Sequence, residues 1–133
     1  IVLVTKEHHC LSDLIVRYHF DELHANILAV VGNYDTLQPF TKQFGIPFHH
    51  VTHEHKNKLQ FEKEICLIID EYQPHYIVLA KFMRILSPEF VARFENKIIN
   101  IHHSFLPAFV GANPYKQAYE RGVKLIGATA HIV

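Results

Sequence analysis

The stretch Tyr76-Ile77-Val78-Leu79-Ala80 decides the fold class, because it is apolar without interruption. A strand with one solvated face alternates apolar and polar residues, so this run predicts a strand buried on both faces. Pro74 ends any helix that precedes it. Ser87-Pro88-Glu89 then predicts the start of a helix, with a capping serine, a proline at the first position and an acid in the first turn. The stretch is therefore a central strand between two helices.

Apolar runs and helical segments alternate along the rest of the chain. The predicted strands occupy residues 1–5, 27–31, 48–51, 98–101 and 125–133, and the other predicted helices are one capped by Ser12 and those at 38–44, 56–72 and 113–122. Parallel strands require crossover connections, which are usually helices. The pattern predicts one α/β domain with a mostly parallel, Rossmann-like sheet and helices on both faces.

The composition excludes several classes of protein. The 133 residues are 49% hydrophobic and 20% charged, which is typical of a folded domain. Thirteen basic residues balance thirteen acidic ones, which argues against nucleic acid or a membrane as partner, and no apolar run is long enough to span a membrane. Cys10 and Cys66 are too few for a disulfide framework and favour a reducing, cytoplasmic location. Because both ends lie in strand-like runs, we expect a piece of a longer protein.

Asn100 and His102 end a predicted strand, and ligands of open α/β sheets bind at the carboxyl ends of strands. Alternation along the strand points both side chains one way, while Ile99 and Ile101 point into the opposite layer. An amide next to an imidazole can polarise a carbonyl and move a proton. The alternative is that two polar residues at a strand end bind a neighbouring loop.

The segment between the central strand and its following helix carries apolar residues in an unusual place. Phe82, Met83, Arg84, Ile85 and Leu86 occupy it. They are interpreted either as the wall of a flat apolar pocket opposite Asn100 and His102, or as a loop that packs its apolar side chains inward and leaves Arg84 solvated.

Twelve histidines are an unusual number for this length, and the densest cluster lies between His49 and His55. Zinc requires three or four converging ligands. Adjacent strand residues point to opposite faces, so a solvated loop is favoured, and a histidine-rich metal-binding module is kept as an alternative function.

The first strand-to-helix turn, Lys6-Glu7-His8-His9-Cys10-Leu11, contains no glycine. Nucleotide-binding turns carry glycines so that the backbone can approach phosphate. The turn therefore argues against a phosphate cradle there.

Two segments, residues 79–90 (LAKFMRILSPEF) and 98–109 (IINIHHSFLPAF) with Gly111, resemble the 10-formyltetrahydrofolate-dependent formyltransferase fold family, and the resemblance covers essentially all 133 residues. The glycine-free first turn, and His103 where the transferases typically have proline, place the chain nearest the deformylase branch of that family.

The resemblance implies a site. Asn100 would stabilise an oxyanion and His102 would relay a proton, while the folate would contact Phe82, Met83, Arg84, Ile85, Leu86 and His131, and the pocket wall would include His103, Ser104, Leu106 and Pro107. The family's third catalytic residue is an aspartate, expected after Val133. The resemblance also implies a catalytic domain at 1–133 that lacks an N-terminal ACT domain and a C-terminal tail, so the fragment alone is expected to be inactive.

The function implied by the resemblance is hydrolysis of 10-formyltetrahydrofolate to tetrahydrofolate and formate. That reaction would supply formate to purine synthesis and balance the one-carbon folate pool. Water and the folate are the expected partners, with no metal or redox cofactor, and a homo-oligomer is compatible with the sequence. Transfer of the formyl group to an amine such as glycinamide ribonucleotide is the alternative enzymatic function.

Overall fold

The sheet places the carboxyl ends of five parallel strands along one edge. In the computed structural model, which describes residues 1–102 and 129–133, the strands are β1 (Val2–Val4), β2 (Val30–Gly32), β3 (Phe48–His50), β4 (Ile77–Leu79), β5 (Ile98–His102) and β6 (Thr129–Ile132). Their order is β3-β2-β1-β4-β5-β6. The strands from β1 to β5 are parallel, and β6 is antiparallel to β5. The predicted, mostly parallel sheet is confirmed.

The helices lie on both faces of the sheet, as predicted. They are α1 (His9–His19), α2 (Gln38–Lys42), α3 (Lys58–Tyr72) and α4 (Pro88–Arg93). Buried residues of α3 and α4 form a cluster with Leu3 and Ile77, and residues of α1 and α2 form another with Val2 and Val30. Neighbouring residues of β1 thus enter opposite layers, because side chains alternate along a strand. The uninterrupted apolar runs are explained by this double coverage.

Local capping explains where the helices begin. Ser87 caps α4 as predicted, because its Oγ accepts a hydrogen bond from the backbone N–H of Phe90 at 3.1 Å. The prediction for Ser12 is wrong, since α1 begins at His9 and the backbone N–H of Ser12 already donates to His8. Starting the helix earlier buries Cys10 and Leu11 against the sheet. Burial of these two side chains therefore outweighs the preference of Ser12 for the capping position.

Some predictions fall outside the part of the chain that the structure describes. These are the helix at 113–122 and the first residues of the strand at 125–133. Within residues 1–102 and 129–133, no helix combines the length and the apolar character needed to cross a membrane.

Gly32 in β2 is expected to be intolerant of a side chain. A Cβ there would lie 2.7 Å from Cζ of Phe48 and 2.8 Å from the backbone oxygen of Tyr34, so Gly32→Ala should lower the free energy of unfolding by about 1–3 kcal/mol. Urea denaturation measures this change. Gly45→Asn is the control, because Gly45 has φ +71° and open space around it, and asparagine tolerates that conformation. Equal stability of the two variants would contradict the steric argument.

Candidate active site at the carboxyl edge of the sheet

The strand order places the topological switch point of the sheet between the ends of β1 and β4. The chain runs from β1 to β2 and β3 on one side, then returns to place β4 and β5 on the other. Where the order reverses, the connections leave in opposite directions and ligands of α/β sheets bind. Thr5 follows β1 and Lys81 lies beyond β4 at this edge.

The loop that follows β4 is fastened to the end of β1. The backbone N–H of Met83 donates to Oγ1 of Thr5 at 3.1 Å, and Nζ of Lys81 lies 2.7 Å from Oε2 of Glu7. Lys81 has φ +56°, a left-handed conformation that non-glycine residues seldom adopt. Backbone strain of this kind is concentrated at binding and catalytic sites. The contacts hold the start of the loop at the switch point.

Asn100 lies in the middle of β5, between β4 and β6. Its Cα is in register with Leu79 on one side and with His131 on the other. Ile98, two residues earlier, is fully buried in the layer of α3 and α4, while Ile101 packs against the opposite cluster. Asn100 is half-buried and shares the face of Ile98, as the alternation predicted.

His102 is the last residue of β5, so its backbone lies at the carboxyl edge, in register with Thr129. The antiparallel pairing of β5 and β6 also brings the backbone of His131 beside that of Asn100. Three of the predicted site residues thus come from two adjacent strands. The predicted wall residues His103, Ser104, Leu106 and Pro107 lie outside the described part of the chain.

The loop after β4 presents apolar side chains to solvent, as the pocket-wall interpretation requires. Met83 is 69% exposed and Ile85 is 84% exposed. Phe82 is instead buried in the core, and Leu86 packs partly against it. The Arg84 guanidinium carbon lies 5.4 Å from the ring centroid of Phe61. The loop therefore has a buried base and an exposed apolar tip with one cation, which suits a flat, partly apolar ligand.

Glu62 of α3 is the residue that the sequence analysis missed. Its side chain is 7% exposed, and it accepts hydrogen bonds from the backbone N–H of Ser87 at 2.8 Å and from the Ser87 hydroxyl at 2.5 Å. Both carboxylate oxygens therefore hold the far end of the loop. An acidic residue in an otherwise apolar stripe of a helix was the available signal.

The histidine cluster is only partly the solvated loop that was favoured. His50 and His55 are exposed, but Nε2 of His49 lies 2.8 Å from the Tyr72 hydroxyl, and Nδ1 of His53 lies 3.2 Å from the side-chain nitrogen of buried Asn33. These contacts join β3 and its following loop to neighbouring elements. Among residues 1–102 and 129–133, no group of three or more histidine, cysteine or acidic side chains could hold a metal ion.

The cysteines do not offer an activated nucleophile. Burial raises the pKa of the Cys10 thiol, although Cys10 lies in the first turn of α1 and near Lys81, both of which favour a thiolate. Burial likewise raises the pKa of the Cys66 thiol. The two residues pack against opposite faces of the sheet and cannot form a disulfide with each other.

A cavity of about 920 Å³ lies away from the carboxyl edge. It is lined mainly by residues 73–77 and 93–97, which precede β4 and β5 at the amino edge. This cavity therefore does not mark the candidate site. The site is placed by the strand order, by the contacts of the loop after β4, and by the residue types on β5.

The sequence profile of the formyl transferase family matches residues 1–133. Among curated relatives, the formyltetrahydrofolate deformylase of Escherichia coli (strain K12) is 59% identical over all 133 residues, which cover 48% of that protein. The formyltetrahydrofolate deformylase of Bacillus subtilis (strain 168) is 48% identical over 99% of this chain and 44% of its own length. The chain spans about half the length of these relatives.

Solved structures of two kinds share the fold. A formyltetrahydrofolate deformylase from Pseudomonas syringae superimposes with a TM-score of 0.86 at 44% identity, over 99% of this chain and 44% of that one. A phosphoribosylglycinamide formyltransferase from Coxiella burnetii gives a TM-score of 0.87 at 32% identity, over 99% of this chain and 64% of that one. The backbone alone does not separate the two activities, whereas sequence identity is higher toward the first.

Proposed function

Because the chain belongs to the formyl transferase family, we propose that the full-length protein hydrolyses 10-formyltetrahydrofolate to tetrahydrofolate and formate. The observation that carries this proposal is the 59% identity to a formyltetrahydrofolate deformylase over the whole of this chain. The proposed catalytic residues are Asn100 in the middle of β5 and His102 at its carboxyl end. The reaction would release formate for purine synthesis and adjust the one-carbon folate pool.

The proposed chemistry is attack of water on the formyl carbon. The carbonyl oxygen becomes an oxyanion, which the Asn100 amide stabilises by donating a hydrogen bond. His102 takes a proton from the attacking water and delivers it to N10 of the folate as the carbon–nitrogen bond breaks. Tetrahydrofolate and formate leave with no change in oxidation state, so the proposed steps need no redox cofactor; the acid–base work is assigned to His102 and not to a metal ion.

The substrate is proposed to lie against the loop after β4. Its flat, partly apolar pterin fits the exposed tip formed by Met83 and Ile85, with Arg84 and Leu86 beside them and Phe82 supporting the loop from the core. His131, in register with Asn100, is the proposed contact from β6. The cysteines, kept apart on opposite faces of the sheet, support a reducing compartment and thus a cytoplasmic location.

Formyl transfer to an amine is the second candidate function, because the Coxiella burnetii transferase has the same backbone. The turn between β1 and α1 favours hydrolysis. The turn contains exposed His8 and Glu7, whose carboxylate pairs with Lys81, and His9 follows as the first residue of α1. It has no glycine that would let a phosphate approach the backbone. The metal-binding module gains no support from the residues that the structure describes.

An assay with and without an amine acceptor separates the two enzymatic functions. The full-length protein is incubated with 10-formyltetrahydrofolate alone, and formate and tetrahydrofolate are quantified. We expect equal amounts of both products, at a rate that glycinamide ribonucleotide does not raise. Product formation only when glycinamide ribonucleotide is present would establish the transferase and overturn the proposal.

A further inference from the structure

Glu62 and Ser87 form a contact that the proposed chemistry does not use. We propose that Glu62 is a positioning residue for folate binding, which holds the loop after β4 in the conformation that contacts the substrate. This inference rests on the proposed function and adds a residue from α3, the helix that follows β3. The bonds from Ser87 to both oxygens of the buried Glu62 carboxylate carry the proposal.

A carboxylate is a costly choice for this buried position. Removing a charge from water costs several kcal/mol, and an apolar residue of the same size would pack against the core without that cost. Two charge-assisted hydrogen bonds offset part of it. Both donors belong to Ser87, at the end of the loop after β4. The hydrogen bonds that offset the cost of burying Glu62 therefore form only when Ser87 is in this position. Glu62 therefore fixes the position of that end relative to α3.

The loop is held at two points, with the exposed residues between them. At its start, Met83 is bound to Thr5 and Phe82 is buried, and at its end Ser87 is bound to Glu62. Met83 and Ile85 protrude from this short span. Releasing the end of this span would move the residues proposed to contact the folate, while Asn100 and His102 stay on β5. Loss of the Glu62 contact should thus weaken folate binding more than it slows the chemical step.

Substitution of Glu62 in the full-length protein tests this inference. We expect Glu62→Leu to raise the Kd for tetrahydrofolate, measured by calorimetry, by about 10-fold, while kcat at saturating 10-formyltetrahydrofolate falls less than about 3-fold. Glu62→Gln keeps one acceptor oxygen and should give an intermediate Kd. Hydrogen exchange at the Ser87 amide should accelerate in Glu62→Leu, while exchange at the core strand β1 should remain unchanged.

Matched variants separate positioning from loss of stability. Glu71→Leu makes the same change at an exposed position of α3 and should leave the Kd unchanged. Ser87→Ala removes the hydroxyl, which donates to Glu62 and also caps α4, and should raise the Kd. Ser87→Thr retains the hydroxyl for both contacts and should restore the Kd. Because Glu62 and Ser87 form one contact, combining Glu62→Leu with Ser87→Ala should add little. If Glu62→Leu does not fold, the Ser87 pair still tests the contact.

Each outcome has a distinct meaning. Suppose that the wild-type protein binds tetrahydrofolate and that the Kd is unchanged in Glu62→Leu or in Ser87→Ala. This result would overturn the role of Glu62 but leave the proposed function standing. An equal fall in kcat and in kcat/KM with an unchanged Kd would also overturn it, because the contact would then act on the chemical step. Absence of tetrahydrofolate binding in the wild-type protein would instead overturn the proposed function, and the positioning role with it.

Discussion

Replacing His102 with alanine in the full-length protein is expected to lower kcat for hydrolysis of 10-formyltetrahydrofolate by at least about 100-fold. General acid–base catalysis by a positioned side chain contributes typically about 10²–10⁴ in rate. His102 is proposed to move a proton twice, from water and then to N10, and alanine can do neither. Its backbone position at the end of β5 lies at the edge where α/β sheets bind ligands. Steady-state release of formate measures the loss.

The control for this prediction is His75→Ala. His75 is an exposed histidine that precedes β4, at the opposite edge of the sheet. We expect the His75→Ala variant to hydrolyse 10-formyltetrahydrofolate at the wild-type rate. The Kd for tetrahydrofolate should change little in His102→Ala, which shows that the protein is folded and the folate site is intact. A His102→Ala variant with near-normal turnover would remove His102 from the mechanism.

Asn100→Asp is expected to lower kcat by about 10²–10³, the range found when a donor to an oxyanion is removed. Aspartate has nearly the shape of asparagine but, when ionised, has no proton to donate and repels a developing negative charge. Asn100 is half-buried and enclosed by β4 and β6, so water replaces its amide poorly. The effect should fall on kcat, because the oxyanion develops as water attacks and is absent from the bound substrate.

Asn26→Asp makes the same chemical change in an exposed loop before β2, at the amino edge. It should have wild-type kcat, which excludes a general effect of one added negative charge. Asn100→Ala also removes the hydrogen-bond donor, but it adds no charge that repels the oxyanion. Its kcat should therefore fall less than that of Asn100→Asp. If Asn100→Asp changed KM and left kcat unaltered, Asn100 would be a binding residue and not the group that stabilises the oxyanion.

The sheet and the position of Asn100 and His102 on its fifth strand could be predicted because their signals are local. The apolar run of residues 76–80 predicted a strand buried on both faces, and Ser87-Pro88 predicted the start of α4. Alternation along β5 placed Asn100 on one face and Ile101 on the other. Each of these inferences uses only neighbours in the sequence, whose relative directions the backbone fixes.

Contacts between distant segments could not be predicted in this way. Glu62 and Ser87 are 25 residues apart, and Thr5 and Met83 are 78 apart. The start of α1 was misplaced because burial of Cys10 and Leu11 outweighed the capping preference of Ser12. The same limit explains why His49 and His53 were assigned to solvent, since their partners Tyr72 and Asn33 lie on other elements.

The sequence by itself determined the fold class, the place of Asn100 and His102 on one strand with His102 at its end, and the apolar character of the loop after β4. Only the tertiary structure decided which residues hold that loop: Thr5 at its start and Glu62 at its end. The physical reason is that periodicity and capping are set by adjacent residues. A hydrogen bond across the sheet edge exists only after the chain has brought separate helices and strands together, where a buried carboxylate must find its donors.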